Sequence, residues 1–496
     1  MILGKLCMET IQLESLTRII QPLTVRGPLN VDIEGIAYDS RQVRDRYLFV
    51  ALRGQRQNGT KFIEEAIRRG AVAIVSEEDQ WTRRDIAHIR VADARLALAE
   101  ISCAFYDRPS ERIEVIGITG TNGKTTTSYM ARDILWAAGR PTGLIGTVRY
   151  EIGKRIIPAT RTTPEAPDVQ FMLDQMVRAG CRSAVMEVSS HALDQKRVWG
   201  IDYDVGVFTN LTRDHLDYHQ SMQRYFDAKS QLFRGLGQLE KRAAAVINID
   251  DQWGMQLANT PGLTAGLVTY GLHGAAMVRA EDLDLSPQSS SFTFVSPWGN
   301  ARVTLRLLGR YNVFNALAAM SACGAMGVEP GLMAETLGKM TAVPGRLEQV
   351  PSRRGFSVFV DYAHTDDALA NVLTTLRELR PKRLLAVYGC GGDRDKTKRP
   401  LMGAVGVRLA HHVILTSDNP RKEDPDAIIR DIEAGLEGST NYDVVVDREQ
   451  AIARAIGMAQ PGDIVLIAGK GHENYQEFAS TIVPFDDREV ARRYLG

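Results

Sequence analysis

The stretch with the clearest chemical potential is VIGITGTNGKTTTSYMARDIL, in which an apolar run, a glycine-rich turn and a helical segment follow one another. Gly120 and Gly123 permit a tight turn whose backbone N–H groups converge on an anion, and Lys124 adds a cation for terminal phosphates. Thr125 can offer its hydroxyl to Mg²⁺. Ile118 departs from the strict GxxxxGK spacing, but the order of the elements predicts a phosphate-binding loop, with a chance turn as the alternative.

Polar side chains follow the next two apolar runs. The first group is Glu187, Ser189, Ser190 and His191, and the second is Asp214, His215, Asp217 and His219. Because parallel strands end at the same edge of a sheet, these carboxylates and imidazoles together predict a divalent metal site beside the phosphate loop. Taken singly, each of them is better explained as a helix cap or a hydrogen-bonded polar residue.

The domain organisation follows from the length of the chain and from the spacing of its apolar runs. A chain of 496 residues is too long for one core and suggests three or four domains of ~100–200 residues. Residues 1–110 have irregular short apolar runs, which predict a mixed α/β domain. Residues 111–343 alternate apolar runs with helical segments, as in a parallel-sheet ATPase domain with a phosphate loop. After the hinge TAVPGRLE, residues 344–496 predict a Rossmann-like domain, so the fold class is α/β with three domains.

Composition excludes several classes of protein. Apolar residues make up 44%, charged residues 24%, and the formal net charge is +0, values typical of a globular protein that does not bind nucleic acid. The five cysteines form no CxxC pair, so we expect neither a zinc site nor disulfides, and a reducing cytoplasm. No apolar run is long enough to cross a bilayer, and we expect a monomer without a membrane span.

The segment VILTSDNPRKEDPDAIIRDI combines an apolar run, a polar loop and a helix. A loop in this position of an α/β domain often contacts a ligand. Asp418 and Asn419 can orient an amino group, and a proline restricts the backbone before Arg421, whose guanidinium can pair with a carboxylate through two N–H groups. The alternative is a simple helix start that is capped by Asp424.

Eleven motifs of this chain, in their order, resemble the ATP-dependent Mur ligases of peptidoglycan synthesis. They are GTNGKTT, EVSSHALDQKRV, FTNLTRDHLDYH, YFDAKSQLF, GRYNVFNALAA, PGRLE, DYAHT, GCGGDRD, KRPLMG, DNPRKEDP and AGKGHE. The resemblance is strongest to the members that add a diamino acid to UDP-N-acetylmuramoyl-L-alanyl-D-glutamate. It implies that residues 1–110 bind the UDP-sugar, residues 111–343 bind ATP and residues 344–496 bind the amino acid.

The resemblance also implies a reaction. ATP would activate a carboxylate of the UDP-muramoyl dipeptide as an acyl phosphate, and the amine of meso-diaminopimelate would displace phosphate to form an amide bond. Mg²⁺ would be the cofactor, and all three substrates would be small molecules. The product would be a peptidoglycan precursor, which links the enzyme to cell-wall biogenesis, cell shape and cell division.

Nucleotide and metal contacts follow from the same resemblance. The positions expected to bind ATP are Gly120, Thr121, Asn122, Gly123, Lys124, Thr125, Thr126, Asn312, Asn315, Arg346 and Asp361. Those expected to hold the metal are Thr125, Glu187, His215 and Lys229, the last carbamylated to N6-carboxylysine; Lys124, His215 and Lys229 are the expected catalytic residues. Without the resemblance, Lys229 is a solvated helical lysine, and the two asparagines are equally well explained as helix caps.

The two remaining substrates would have their own pockets. For the UDP-muramoyl dipeptide, the implied contacts are Ser40, Thr162, Thr163, Ser189, Gln195 and Arg197. For diaminopimelate they are Arg394, Asp418, Asn419, Pro420, Arg421, Gly469 and Glu473, with Arg421 as the clamp for the distal carboxylate. The hydroxyl residues are otherwise ordinary loop residues, and Arg197 is otherwise a surface arginine.

Two other functions compete with this interpretation. A folylpolyglutamate synthetase has a similar phosphate loop, but it gives no reason for the DNPR and GCGGDRD motifs or for the uridine segment YDSR. A regulator that binds nucleotide without catalysis would have no need of Lys124, Glu187, His215 and Lys229 together. Release of phosphate that requires the UDP-dipeptide and an amino acid distinguishes the ligase from both.

Overall fold

The computed structural model describes residues 10–54, 58–79, 83–286, 288–436 and 438–496. The chain divides into two compact units. Unit 1 contains the described residues of Met1–Gly117, Pro141–Asp204 and Gly235–Arg242, and unit 2 contains those of Ile118–Arg140, Val205–Arg234 and Ala243–Gly496.

The strands position the loops of interest. In chain order they are β1 (Ile11–Gln12), β2 (Thr24–Arg26), β3 (Asp32–Ile33), β4 (Gly35–Ala37), β5 (Tyr47–Val50), β6 (Ala71–Ser76), β7 (Ala87–Arg90), β8 (Glu114–Thr119), β9 (Thr142–Ile145), β10 (Arg149–Ile152), β11 (Arg155–Pro158), β12 (Ser183–Glu187), β13 (Val205–Phe208), β14 (Ala244–Asn248), β15 (Gly266–Gly271), β16 (Val278–Leu285), β17 (Ser290–Ser296), β18 (Gly299–Leu305), β19 (Glu348–Val350), β20 (Ser357–Asp361), β21 (Leu384–Tyr388), β22 (His412–Leu415), β23 (Tyr442–Val444), β24 (Ile464–Ala468), β25 (Tyr475–Phe478) and β26 (Thr481–Pro484).

The helices alternate with these strands. They are α1 (Leu13–Ile19), α2 (Ile63–Arg68), α3 (Ala94–Phe105), α4 (Lys124–Ala137), α5 (Ala166–Arg178), α6 (Ser190–Asp194), α7 (Leu216–His219), α8 (Met222–Gly235), α9 (Gln252–Ala258), α10 (Arg310–Ala325), α11 (Pro330–Lys339), α12 (Asp366–Glu378), α13 (Lys398–Leu409), α14 (Pro425–Glu433), α15 (Arg448–Met458) and α16 (Asp487–Leu495), with short 3₁₀ turns at Ser40–Gln42, Gly59–Phe62 and Pro109–Glu111. Across the described ranges, none of these helices has both the length and the apolar character needed to cross a membrane.

Unit 1 contains a five-stranded sheet in the order β2-β7-β6-β5-β4, parallel except for β2. Alternate residues of β5 face opposite sides of this sheet. Leu48 and Val50 join one apolar cluster, and Phe49 joins another on the other face. This is the arrangement expected of a strand that is covered on both faces, and it explains why β5 is apolar throughout.

A second run of strands in unit 1 has the order β11-β10-β9-β12-β8. Strands β9 and β12 are parallel, whereas β10 is antiparallel to β9 and β11. Of the residues predicted to bind the UDP-dipeptide, Thr162 and Thr163 lie in the loop after β11, and Ser189 follows β12. Strand β8 continues from unit 1 into unit 2, where it leads into the phosphate loop.

Two sheet regions lie in unit 2. The first runs β13-β14-β15-β16-β17-β18, parallel through β16 and antiparallel thereafter, with the buried apolar helix α10 packed against α4 and several of these strands. The second has the order β19-β20-β24-β21-β22-β23 and is parallel except for β19. Apolar clusters cover both of its faces, which confirms the prediction of an α/β protein with a Rossmann-like C-terminal region.

One buried ion pair joins two helices and a strand of this C-terminal region. The guanidinium of Arg448, the first residue of α15, donates to both carboxylate oxygens of Asp487, the first residue of α16, over 2.8 and 2.7 Å. Its Nη2 also donates to the carbonyl of Ala468 at the end of β24, over 2.9 Å. Neither charged side chain has solvent exposure, so removing one partner leaves the other charge buried without compensation.

We therefore expect Arg448→Ala to lower the free energy of unfolding of this region by about 3–5 kcal/mol, since breaking a buried pair costs that much. The matched control is Arg454→Ala, which removes a partner of Asp443 from a pair whose arginine side chain is 52% exposed. That change is expected to cost less than about 1 kcal/mol. Calorimetric unfolding of both variants tests the difference, and equal losses would contradict it.

Candidate active site

The phosphate loop of unit 2 follows β8 and ends at the first residue of α4. Gly120 and Gly123 have φ angles of 146° and 88°, in the region that favours glycine. A Cβ at Gly120 would meet the hydroxyl of Thr209, and one at Gly123 would meet the amide oxygen of Asn315. Both glycines are therefore needed for the close approach of neighbouring segments as well as for the turn.

Residues after β13 hold the loop in place. The N–H groups of Thr121 and Asn122 donate to the backbone and side-chain oxygens of Asn210, over 2.8 and 2.9 Å. The carbonyl of Asn122 accepts from the hydroxyl of Thr209 over 2.6 Å. Two loop N–H groups thus serve to anchor the loop, so backbone contacts to a phosphate are expected at the start of α4.

Lys124 lies across its own loop. Its ammonium donates to the carbonyls of Gly120 and Thr121, over 2.9 and 2.8 Å. At the next position, the hydroxyl of Thr125 accepts from Nη2 of Arg346 over 3.0 Å, and this guanidinium lies 4.8 Å from the centre of the Tyr362 ring. The structure therefore brings three of the residues predicted to bind ATP into one place.

Lys229 is buried beside this loop, although its sequence context allowed a solvated lysine. Its side chain is 1% exposed, its ammonium donates to the carbonyl of Gly120 over 2.8 Å, and it lies 4.6 Å from the centre of the Tyr225 ring. Burial, and then the nearby charge of Lys124, hold the pKa of Lys229 well below its ordinary value. The solvated interpretation is wrong, because Lys229 is on the apolar face of α8, one turn from Tyr225.

Asn312 and Asn315 lie inside α10, whose N-cap is Gly309, so their interpretation as helix caps is wrong. Both are buried, and the amide of Asn312 donates to the carbonyl of Leu308 over 2.8 Å and accepts from Asn315 over 3.1 Å. Buried amides in an otherwise apolar helix require partners, which is consistent with a polar site nearby.

Asp361 is buried at the end of β20. Its two carboxylate oxygens accept from the N–H groups of Leu347 and Ala363, over 2.6 and 2.8 Å. Burial raises the pKa of this carboxyl group above its ordinary value, against the lowering effect of Arg346. The carboxylate therefore fixes the turn after Gly345 and faces the same guanidinium that contacts Thr125.

The predicted metal ligands fall in both units. In unit 1, Glu187 has no solvent exposure and accepts from the N–H and the hydroxyl of Thr147, over 2.8 and 2.9 Å. In unit 2, His215 has a left-handed backbone with φ 54°, and its Nε2 lies 3.4 Å from the carboxylate of Asp214. Burial opposes ionisation of Asp214, but basic neighbours, first among them His215, keep its pKa below the ordinary value.

Residues predicted to bind the UDP-dipeptide are joined within unit 1. The hydroxyl of Thr163 donates to the carbonyl of Glu187 over 2.8 Å and accepts from the N–H of Ser189 over 3.1 Å. The hydroxyls of Thr162 and Thr147 lie 3.1 Å apart. Ser189 also caps α6, since its hydroxyl accepts from a backbone N–H of that helix, so its cap role and a ligand role coexist at this position.

Arg197 and Gln195 lie in the same part of unit 1. Arg197 donates to the carbonyl of Thr163 over 3.1 Å and to the amide oxygen of Gln195 over 2.6 Å, and its Nε lies 3.1 Å from the carboxylate of Glu165. Its side chain is 12% exposed, so it is not an ordinary surface arginine. Ser40, also in unit 1, donates to Glu65 over 2.9 Å.

The residues predicted to bind the amino acid surround a buried lysine. Lys470 has no solvent exposure and donates to Asn419 over 3.0 Å and to Glu473 over 3.1 Å. The amide nitrogen of Asn419 donates to the same oxygen of Glu473 over 2.8 Å. Burial raises the pKa of Glu473 above its ordinary value, although Lys470 lowers it. Gly469 has φ 113°, and a Cβ there would lie 2.5 Å from the carboxylate of Asp418.

Arg421 occupies a strained backbone position with φ 53°. Its Nε donates to Glu477 over 3.0 Å and its Nη1 donates to the carbonyl of Gly392 over 2.7 Å. A guanidinium has five N–H groups, so three of them form no hydrogen bond within the described part of the chain. Asp424 caps α14 as the alternative interpretation held, but the contacts of Arg421 are separate from that cap.

The other two residues of this predicted pocket lie on either side of the clamp. Pro420 precedes Arg421, and its carbonyl lies where a Cβ on Gly392 would be placed. Arg394 is exposed, and its Nη1 donates to the carbonyl of Asp393 over 3.3 Å. The structure thus brings the DNPR, GCGGDRD and AGKGHE motifs into one region of unit 2.

Several polar residues of these groups were missed from the sequence. Thr147 contacts the predicted site residues Thr162 and Glu187. Lys470 contacts Asn419 and Glu473, and Glu165 contacts Arg197. Lys470 lies inside the motif AGKGHE and could have been predicted as a site residue together with Gly469 and Glu473. Thr147 and Glu165 had no signal of their own, because each acts through a partner that is distant in sequence.

Three family models match the chain. The model described as Mur ligase family, catalytic domain, matches residues 32–106, the Mur ligase middle domain matches residues 118–323, and the Mur ligase, glutamate ligase domain, matches residues 345–471. The three matched regions lie in the order expected for a three-domain protein. The domain boundaries at residues 110 and 343 stay predictions.

Curated relatives match over almost the whole chain. A protein of Geobacter sulfurreducens named UDP-N-acetylmuramoyl-L-alanyl-D-glutamate--2,6-diaminopimelate ligase is 45% identical over 97% of this chain and 98% of its own. A protein of the same name from Geobacillus kaustophilus is 48% identical over 93% of this chain and 95% of its own. A solved structure described by that name is 34% identical, with a TM-score of 0.69, and the match covers 98% of this chain and 99% of the other.

The imidazole of His364 gives a testable pH dependence. Burial, and then the charge of Lys398, lower its pKa from the ordinary 6.5 to about 4. Between these two pH values the unfolded chain takes up a proton that the folded chain does not, so stability falls as the pH falls from 6.5 towards 4. We expect His364→Gln to lose less thermal stability than the unmodified protein between pH 7.5 and 4.5.

The matched control is His273→Gln, because the side chain of His273 is 84% exposed. This variant is expected to lose as much stability on acidification as the unmodified protein. Thermal melts at several pH values measure all three proteins, and parallel curves for His364→Gln and the unmodified protein would contradict the assignment.

Proposed function

Because the chain belongs to the Mur ligase family, we propose that it adds meso-2,6-diaminopimelate to UDP-N-acetylmuramoyl-L-alanyl-D-glutamate with consumption of ATP. The observation that carries this function is the 45% identity over 97% of the chain to a protein named for that reaction. The product is a peptidoglycan precursor, and the bond formed is an amide.

The reaction has two steps. A carboxylate oxygen of the UDP-dipeptide attacks the γ-phosphorus of ATP, which breaks the bond to ADP and gives an acyl phosphate. The amine of the amino acid then attacks the acyl carbon, phosphate leaves with the bonding electrons, and the amine gives up a proton. Both steps depend on positioning and on stabilisation of negative charge, because the protein forms no covalent bond to the substrates.

The phosphate loop supplies the first requirement. Its anchoring by Asn210 fixes the start of α4, where helical N–H groups favour a bound anion. Lys124 is the proposed catalytic cation for the transferred phosphoryl group, and Arg346 is a second cation that reaches Thr125. On binding, the ammonium of Lys124 would exchange the two loop carbonyls for phosphate oxygens, which are stronger acceptors.

The surroundings of Lys229 fit a carbamate that serves as a metal ligand. A lysine whose pKa is well below its ordinary value provides the neutral amine that can attack CO₂, forming an N–C bond and releasing one proton. The residues proposed to hold Mg²⁺ in unit 2 are Thr125, His215 and the carbamate of Lys229. When bound, Mg²⁺ supplies positive charge for the phosphate oxygens.

The acceptor substrate is proposed to bind in unit 1. Arg197 is partly buried and is held by Glu165 and Gln195, so its guanidinium is pre-oriented for an anionic group of the substrate. Thr162, Thr163 and Ser189 supply hydroxyl groups in the same region. Ser40 is proposed to bind the uracil, as the resemblance of its YDSR segment implies.

The competing functions are less well supported. The relatives at 45–48% identity are not named as folylpolyglutamate synthetases, and the DNPR and GCGGDRD motifs form one hydrogen-bonded region that such an enzyme would not require. A regulator without catalysis gives no reason for a buried lysine beside the phosphate loop. Turnover that requires all three substrates tests the ligase against both.

Removal of the Lys229 amine is expected to abolish most of the activity. Lys229→Ala should lower kcat by roughly 10²-fold or more, since one preorganised charge-stabilising group is lost. Acetate or formate should restore part of the activity by occupying the space of the carbamate. The measurement is phosphate release with all three substrates present.

Lys124→Ala is the matched control for this rescue, because it removes the neighbouring cation and leaves Lys229 in place. Carboxylates should not restore that variant, and they should not accelerate the unmodified protein. Full activity of Lys229→Ala without added carboxylate would refute the carbamate.

The choice of amino acid gives a second test. Meso-diaminopimelate and L-lysine differ by one distal carboxylate, for which Arg421 has three N–H groups that form no hydrogen bond to the described residues. A site built for that carboxylate leaves its guanidinium unsatisfied when lysine binds, which can reduce kcat/KM on the order of 10⁴-fold. We expect this preference in the unmodified protein and its loss in Arg421→Ala.

Lys422→Ala is the matched control, since Lys422 is the exposed neighbour of the clamp. This variant should keep the preference for meso-diaminopimelate. Steady-state kinetics with both amino acids measure kcat/KM for each protein, and equal use of the two by the unmodified protein would exclude the clamp.

A further inference from the structure

Two loops of unit 2 that carry proposed amino-acid contacts are joined backbone to backbone. The N–H of Gly392 donates to the carbonyl of Asn419 over 2.9 Å, and the carbonyl of Gly392 also accepts from the side-chain Nη1 of Arg421 over 2.7 Å. The first loop contains Arg394 and the second contains Arg421. The distance between the two guanidinium groups is therefore set by how these loops are held together.

Glu423 lies two residues after the clamp, in the turn that orients it. Its N–H donates to the carbonyl of Pro420 over 3.0 Å, which closes a turn in which Arg421 has a left-handed backbone. The carboxylate of Glu423 reaches back to the other loop, where it accepts from the N–H of Asp393 over 2.6 Å and from the ammonium of Lys396 over 2.9 Å. One side chain thus contacts both ends of the segment that includes Arg394.

The same carboxylate is fixed to a helix by a buried arginine. Arg399, in α13, donates to both oxygens of Glu423, over 2.9 and 3.0 Å. Its Nη2 also lies 3.4 Å from the carbonyl of Gly391, and its Nη1 donates to Asp431 over 2.8 Å. The Arg399 side chain is 1% exposed, so this two-pronged pair is held in a fixed geometry.

The charge on Glu423 is strongly favoured in this setting. Hydrogen bonds from Arg399, followed by those from Lys396 and the N–H of Asp393, lower the pKa of Glu423 to about 2. A neutral side chain at this position would leave the buried Arg399 guanidinium with Asp431 as its one ion-pair partner among the described residues. The loop from Gly391 to Lys396 would also lose its two contacts to the Glu423 carboxylate. Among the described residues, this loop contacts no other carboxylate of the DNPRKE segment.

We propose that Glu423 is a positioning residue for the amino-acid substrate, which sets Arg394 and Arg421 at the separation that a diamino dicarboxylic acid requires. Glu423 need not touch the substrate. It acts by holding the Gly391–Lys396 loop against the turn of Arg421, with Arg399 as the fixed support. This inference rests on the proposed function, because it concerns the pocket for the incoming amino acid.

The experiment compares Glu423→Gln, which keeps the shape and removes the charge, with Glu423→Asp, which keeps the charge on a shorter side chain. Asp431→Asn is the matched control, since it removes a charged partner of Arg399 without touching the loop. We expect the KM for meso-diaminopimelate to rise roughly 10- to 100-fold in Glu423→Gln, because the contacts to the substrate are displaced. The KM should rise less in Glu423→Asp. The KM values for ATP and the UDP-dipeptide should not change.

A second measurement separates positioning from loss of fold. Hydroxylamine traps the acyl phosphate as a hydroxamate without any amino acid, so it reports the first step alone. Unchanged trapping in Glu423→Gln, together with the raised KM for meso-diaminopimelate and a normal KM in Asp431→Asn, supports the proposal. A parallel loss of trapping and of thermal stability, an equal KM rise in Asp431→Asn, or an unchanged KM in Glu423→Gln would overturn it.

The unmodified protein is measured first. Turnover that requires meso-diaminopimelate establishes the premise, so a normal KM in the variant would then overturn only the role of Glu423. If the unmodified protein traps no acyl phosphate and uses no diamino acid, both the proposed function and this inference fail.

Discussion

The hydrogen bonding of the phosphate loop to Asn210 is the interaction on which the rest of unit 2 depends. The backbone and side-chain oxygens of Asn210 accept from the N–H groups of Thr121 and Asn122. These hydrogen bonds orient the loop carbonyls toward the side where Lys124 and Lys229 donate to them. Asp367 of α12 holds the same loop from the C-terminal region, accepting from the amide of Asn122 over 2.7 Å. A loop fixed on two sides needs no rearrangement when a phosphate chain arrives, which is what electrostatic catalysis requires.

This arrangement places two lysine side chains at one backbone carbonyl. Lys124 and Lys229 share the carbonyl of Gly120 as an acceptor, and their mutual repulsion adds to burial in lowering the pKa of Lys229. An anionic group on Lys229 would reverse the sign of that interaction and stabilise Lys124 as a cation. On the proposed function, the loop would hold one charged and one carbamylated lysine, because two cations that share one acceptor oppose each other.

The pattern of apolar runs was enough to predict the α/β class. Strands such as β5 and β21 are uninterrupted apolar runs, because both of their faces are covered. The phosphate loop and the DNPR loop could be located because glycine, lysine and proline have local backbone consequences. Pairs such as Thr147 with Glu187 and Arg399 with Glu423 could not, because each joins residues more than 20 positions apart and periodicity does not say which polar groups meet. The burial of Lys229 could be predicted only in part. Its position one turn after Tyr225 places it on the apolar face of α8, but an ionisable side chain is usually exposed to solvent.

In the proposed amino-acid pocket, such long-range pairs would matter for selectivity. Arg421 could rotate freely on an ordinary loop, but here its N–H and carbonyl pair with the segment of β25, and Glu477 holds its Nε. The side-chain entropy of the guanidinium is therefore lost on folding and not on binding, so a carboxylate gains the full benefit of the contact. The same rigidity prevents the arginine from turning away when the ligand lacks a carboxylate, and its remaining N–H groups then lose a partner. On the proposed function, discrimination at this site would follow from the contacts that fix the Arg421 side chain as much as from the presence of an arginine.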